Sequence, residues 1–183
     1  MNHSSSWLLL LAFLALFFST VEGTVFDKWD GEDDSVVTAL SLEEKVGQLF
    51  FTLVYGETLS KESKEFLTAS KVGNVIYYAW ANGLCKKSQV KTLSQEIQDC
   101  LLKSVGIPAF IGIDQEGGRV SRLSGEFTLY PGAALLGATK DEEMVRKNGF
   151  LMAQEMQEVG ITLDFAPVVD VNTTPNNPII GNR

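Results

Sequence analysis

The sequence predicts an α/β fold built on a parallel sheet, and three observations predict it. Short apolar runs alternate with amphipathic helical stretches four times, with brief connections. The helical stretches stop at glycines: Gly73, Gly106 and Gly160 each follow one. The third apolar run turns abruptly polar at its end, as strands of parallel sheets do where they meet a binding face.

In chain order, Ser41 and Glu44 form a capping-box pattern, which opens a short helix ending near Gly47. Gln48–Val54 (QLFFTLV) reads as the first strand. Lys61–Lys71 reads as a helix, with Phe66 and Leu67 turned inward. Asn74–Tyr78 (NVIYY) is β-branched and aromatic, hence a second strand. Ser88–Ser104 carries Val90, Leu93, Ile97, Cys100 and Leu101 at the helical period. Pro108–Asp114 is the third strand. Gly125–Ala138 reads as a loop, and Thr139 with Glu142 as a second capping box. Asp141–Val159 is a helix with Val145, Met152, Met156 and Val159 on one face. Ile161–Val171 (ITLDFAPVVDV) is the fourth strand, leading into a Pro/Asn-rich loop. Periodicity alone does not separate a closed barrel from a doubly wound sheet.

The chemistry concentrates in Ile111–Leu123, IGIDQEGGRVSRL. Its strand delivers Asp114, Gln115, Glu116, Arg119 and Arg122 to one end of the sheet. Gly117 and Gly118 permit positive φ or close backbone approach. Asp114 and Glu116, two residues apart on an extended chain, would lie roughly 6.6 Å apart on one face. Two carboxyl groups that approach from one side do not stand on opposite faces of a substrate, so they do not make a general acid working against a nucleophile.

Four stretches together resemble a known family: Ile111–Leu123, Gly125–Pro131 (GEFTLYP), Phe165–Asn172 (FAPVVDVN) and Asn177–Arg183 (NPIIGNR). They are similar to the N-terminal domain of the family 3 glycoside hydrolases, in particular the β-N-acetylhexosaminidase branch, over roughly Ser41–Arg183. The resemblance implies a (β/α)8 TIM barrel, of which four strand–helix units are about the first half. It implies a retaining hydrolase of terminal β-linked N-acetylglucosamine in peptidoglycan or chitin-type sugars, without cofactor or metal. A β-glucosidase of the same family is the enzymatic alternative, and an inactive sugar-binding remnant the alternative of another class.

By the resemblance, Asp114 matches a sugar-hydroxyl-binding Asp, and Arg122 and Arg183 match two binding arginines. A carboxylate accepts charge-assisted bonds from vicinal hydroxyls, and guanidiniums offer planar donor forks. The catalytic nucleophile Asp and acid/base His of the branch are expected beyond Arg183; the sole histidine, His3, precedes the first element. Glu116 and Arg119 read as a structural pair, and Asp164 and Asp170 as polar support. Tyr77, Tyr78 and Trp80 read as core or loop anchors, with an aromatic stacked on a sugar as the alternative. The Asn172-Thr173-Thr174 sequon is read as chance, because a glycan there would obstruct the pocket.

The remaining features bound the setting. Trp7–Phe18 is an apolar run of twelve residues, too short for a span and suited to a signal peptide over residues 1–23. Residues 24–40 form an acidic lead-in, and residues 41–183 the hydrolase-like domain. Secretion or periplasmic export follows, with no stable membrane span once the signal is cleaved; an uncleaved anchor is the alternative. Net charge is −8 with no basic run, which excludes a nucleic-acid footprint. Cys85 and Cys100 have either a disulfide or two free thiols open to them, and no Cys/His cluster marks a zinc site. An open half barrel exposes strand edges, so self-association is expected.

Overall fold

In a computed structural model, the described residues are 35–174, 176–181 and 183. The signal-peptide segment and most of the acidic lead-in therefore lie outside them. The chain divides into two units, residues 1–40 and Ser41–Arg183. In the first, Ser35–Ala39 forms one helical turn (α1), where the sequence read as irregular.

The second unit is a four-stranded parallel sheet in the order β1-β2-β3-β4: Phe51–Thr52, Asn74–Tyr77, Phe110–Ile113 and Leu163–Asp164. All three strand pairings are parallel, so all carboxyl ends lie on one edge. The register pairs Tyr77 with Ile113 and Ile113 with Asp164, which brings the ends of β2, β3 and β4 level.

The first helix, α2 (Leu42–Gly47), has the expected capping box: the Glu44 N–H donates to Ser41 Oγ at 3.2 Å, and the Ser41 N–H to Glu44 Oε2 at 2.9 Å. The first strand is shorter than QLFFTLV suggests. Leu49 and Phe50 continue a turn onto Val46 and Gly47, and the Gln48 and Phe50 carbonyls accept from the Asn74 side chain at 2.9 and 3.2 Å. Helix α3 (Lys61–Ser70) starts on a Ser60 cap. It buries Leu67 completely but leaves Phe66 49% exposed, because neighbouring positions on a helix face different ways. One turn, α4 (Ala79–Asn82), follows β2. Helix α5 (Lys87–Val105) buries Val90, Leu93, Ile97 and Leu101 and ends at left-handed Gly106, as its period requires.

Two expectations after β3 need correction. Ala133–Thr139 is a helix (α6), although Gly125–Ala138 read as loop. Its Gly132 cap makes no side-chain hydrogen bond, so no capping signal was present to find. The cap of α7 (Glu142–Glu158) is Asp141, whose carboxylate accepts from the Glu143 and Met144 N–H groups; Thr139 belongs to the preceding turn. Met152 and Met156 are buried, whereas Val145 is exposed. The fourth strand stops at Asp164, well short of Val171. One further ladder bond, from the Phe165 N–H to Ile113 O, follows before Pro167, which has no N–H to continue pairing.

The core lies between the sheet and its helices. Val75, Tyr77, Ile111 and Ile113 are fully buried there, with the Tyr77 hydroxyl 3.0 Å from Ser94 Oγ. On the opposite face Phe51 and Phe165 meet edge-on at 5.4 Å over Gly112. A Cβ at Gly112 would crowd both rings, so glycine is required there. Both cysteines are free.

Candidate functional site

The site grows from the end of β3. Asp114 is the first residue past the strand, followed by Gln115, whose side chain is almost fully buried. A buried amide must be satisfied, and Gln115 is: its Oε1 accepts from the Arg122 N–H at 2.8 Å and the Leu123 N–H at 3.1 Å. One side chain thus folds the segment back on itself. The turn between is closed by a Gly117–Val120 bridge, with Gly117 and Gly118 both at positive φ. Gly118 also donates to Tyr130 O at 2.8 Å, which seats the GEFTLYP segment against the turn.

This fold-back places the Arg122 guanidinium on Asp114: Nη2 to Oδ2 is 2.9 Å. The Arg122 Cζ stands 5.8 Å from the Tyr78 ring centroid, so the cation also faces an aromatic from the end of β2. Its Nε is buried without a hydrogen-bond partner among the described residues. A second ion pair lies alongside. Arg183 donates to Glu116 through Nε, at 3.1 Å to Oε2, and through Nη2 to Oε1. The Arg183 backbone is fixed as well, its N–H on Ile180 O and its carbonyl accepting from Ala134 of α6.

All three expected binding residues therefore converge on the carboxyl edge, each engaged by an opposite charge. Arg122 bonds Asp114, and Glu116, which the sequence read as the partner of Arg119, takes Arg183. Because β3 ends at Ile113, Glu116 belongs to the turn and not to an extended strand shared with Asp114. Asp164 receives the Gln115 N–H at 2.9 Å. Burial pushes its carboxyl up to about 7; the Gln115 bond opposes that rise, and the charges of Asp114 and Glu116 add to it. Asp170 is exposed and acts electrostatically on Arg183.

The sequence reading gave Gln115 no role of its own and held sugar stacking only as the alternative for Tyr78 and Trp80. Gln115 gave one signal, its place between two acidic residues at a strand end. Tyr78 and Trp80 were read as core or anchors, yet only Tyr77 is core, and Trp80 is 69% exposed. Among the described residues no group of three or more His, Cys, Asp or Glu side chains is arranged to hold a metal ion, and no helix is long and apolar enough to cross a membrane.

Residues 41–183 match the model of the glycosyl hydrolase family 3 N-terminal domain. The chain belongs to this family. A β-hexosaminidase A of Pseudoalteromonas piscicida is 35% identical over 131 residues, covering 69% of this chain and 22% of the relative. The β-hexosaminidase LpqI of Mycobacterium tuberculosis is 29% identical over 83% of this chain and 37% of its own length. Among solved structures, a family 3 β-N-acetylglucosaminidase from Paenibacillus sp. FPU-7 superposes with a TM-score of 0.73 at 38% identity, over 78% of this chain and 27% of that one. The β-N-acetylhexosaminidase of Beutenbergia cavernae gives 0.68 at 32% identity, over 78% and 43%. The chain thus spans about a fifth to two fifths of these proteins. Its parallel sheet corresponds to part of their barrel-type domain.

Proposed function

We propose that this family 3 chain supplies the sugar-recognition part of a retaining β-N-acetylhexosaminidase acting on terminal β-linked N-acetylglucosamine. The observation that carries the reading is the Asp114–Arg122 pair at the carboxyl end of β3, held by buried Gln115. An ionised carboxylate has about four lone-pair sites and a guanidinium five N–H donors, so each keeps capacity for hydroxyls beyond its partner. Arg183 joins as an outer donor: Glu116 takes Nε–H and one Nη2–H, leaving the other edge of the fork. Relatives named β-hexosaminidase support this substrate over the glucoside alternative.

With His3 as the sole histidine of this sequence, sugar binding is the property to test on it directly. N-acetylglucosamine titrated into the chain by NMR binds, glucose binds more weakly, and Asp114→Asn weakens N-acetylglucosamine at least about tenfold, the worth of a charge-assisted hydrogen bond. Unchanged affinity in the variant, or equal affinity for glucose, counts against the reading. The proposal extends to export through the apolar segment Trp7–Phe18, supported by its composition. It also extends to self-association through the apolar surface around Phe110 and Phe165, both 42% exposed, tested by sedimentation.

A further inference from the structure

The carboxyl edge has a second half that the ion pairs do not use. Tyr55 lies just past β1, Tyr78 just past β2, and Trp80 on the turn that follows. Trp80 stacks on Tyr78 with centroids 5.7 Å apart and planes 28° from parallel, and meets Tyr55 edge-on at 6.0 Å. Large aromatics normally bury; here Trp80 is 69% and Tyr55 65% exposed. An exposed aromatic patch held in fixed geometry is a recognition surface.

Its rigidity has a local cause. Asn82 is fully buried, and its side chain donates to Val54 O at 2.9 Å and Gly56 O at 3.3 Å while accepting from the Tyr78 N–H at 3.1 Å. The Gly56 N–H donates to Ala81 O at 3.0 Å. The two loops bearing the aromatics are therefore tied through one amide, so the rings are ordered before any ligand arrives. Fixed rings forfeit little entropy on binding.

The patch is continuous with the Asp114 site through Tyr78. One side of Tyr78 is stacked with Trp80, and its ring is also faced by Arg122, which bonds Asp114. We propose that Trp80, supported by Tyr78 and Tyr55, is a stacking platform for the second pyranose ring of a β-linked oligosaccharide whose terminal ring occupies the Asp114–Arg122 site. The ring presents apolar C–H groups to the indole while its hydroxyls stay in water. The three rings are themselves uncharged, which fits a neutral saccharide. The inference rests on the sugar-recognition reading and adds where the chain beyond the terminal sugar lies.

The test compares N-acetylglucosamine with N,N′-diacetylchitobiose by NMR titration of the full chain and of its Trp80→Ala and Trp80→Phe variants. Trp80 is exposed, so both variants keep the core intact. In the parent the disaccharide binds roughly three- to tenfold tighter than the monosaccharide, the scale of one aromatic contact. Trp80→Ala removes that advantage and leaves monosaccharide affinity unchanged, whereas Trp80→Phe retains part of it. A disaccharide advantage that survives Trp80→Ala, or is absent from the parent while the monosaccharide binds, overturns the platform and leaves the Asp114 site standing. A parent that binds neither sugar overturns the Asp114 site and the platform with it.

Discussion

Two arginine–carboxylate pairs stand side by side at the end of β3, and they are not alike. Asp114 and Arg122 are eight residues apart, with side chains 25% and 28% exposed, and Arg122 faces Tyr78. Glu116 and Arg183 join segments 67 residues apart, with Glu116 only 10% exposed and both its oxygens held by one guanidinium edge. The first pair is local and open, so both partners can reach a ligand. The second is a clamp whose carboxylate is consumed by holding the loop before Arg183 against the turn. In the proposed reading, chemically similar pairs divide recognition from architecture by how far apart in the chain their partners lie.

The sharpest way to break the comparison is through Gln115, which orders the open pair. Gln115→Leu strands the buried N–H groups of Arg122 and Leu123. It should destabilise the domain by about 2–4 kcal/mol in denaturant melts and abolish detectable N-acetylglucosamine binding. A variant that melts with the parent would mean that the turn holds Arg122 on Asp114 without the amide.

Glu116→Gln tests the clamp. Replacing a charged acceptor by a neutral one weakens the hold on Arg183 by about 1 kcal/mol. Melting temperature should drop by a few degrees while sugar affinity falls no more than about threefold, well short of the Asp114→Asn effect. Equal losses of affinity in the two variants would erase the distinction between the pairs.

How much of this was legible in the sequence follows the range of the interactions. The Ser41–Glu44 box and the period of Val90, Leu93, Ile97 and Leu101 are local, and both stand where the sequence put them. Helix α6 was hidden because PGAALLGAT has two glycines and no capping side chain. The fourth strand was overextended because an apolar run does not show where partners end. Asp114 and Arg122 were legible as a motif. Their mutual bond was not, since it depends on a buried amide folding the turn. The tie between Glu116 and Arg183 and the exposure of Trp80 depend on tertiary geometry that no local pattern encodes.

A pH effect concerns Asp164, which accepts from the Gln115 N–H. Its carboxyl is raised from 3.8 to about 7, so the folded chain binds more protons than the unfolded one between these values. Stability should therefore decline as pH rises through that window and level off above it. Asp164→Asn keeps an acceptor for the Gln115 N–H and flattens the profile, measured as denaturant midpoints at pH 4, 5.5 and 7.5. A slope unchanged in the variant would assign it to other carboxyls.

The most direct measurement of the central claim is a crystal structure of the chain with N-acetylglucosamine bound. The expected result is a pyranose at the carboxyl end of β3, with ring hydroxyls within hydrogen-bond distance of the Asp114 carboxylate and the Arg122 guanidinium while Glu116 stays on Arg183. A sugar seated elsewhere, or one that leaves Asp114 untouched, would contradict it.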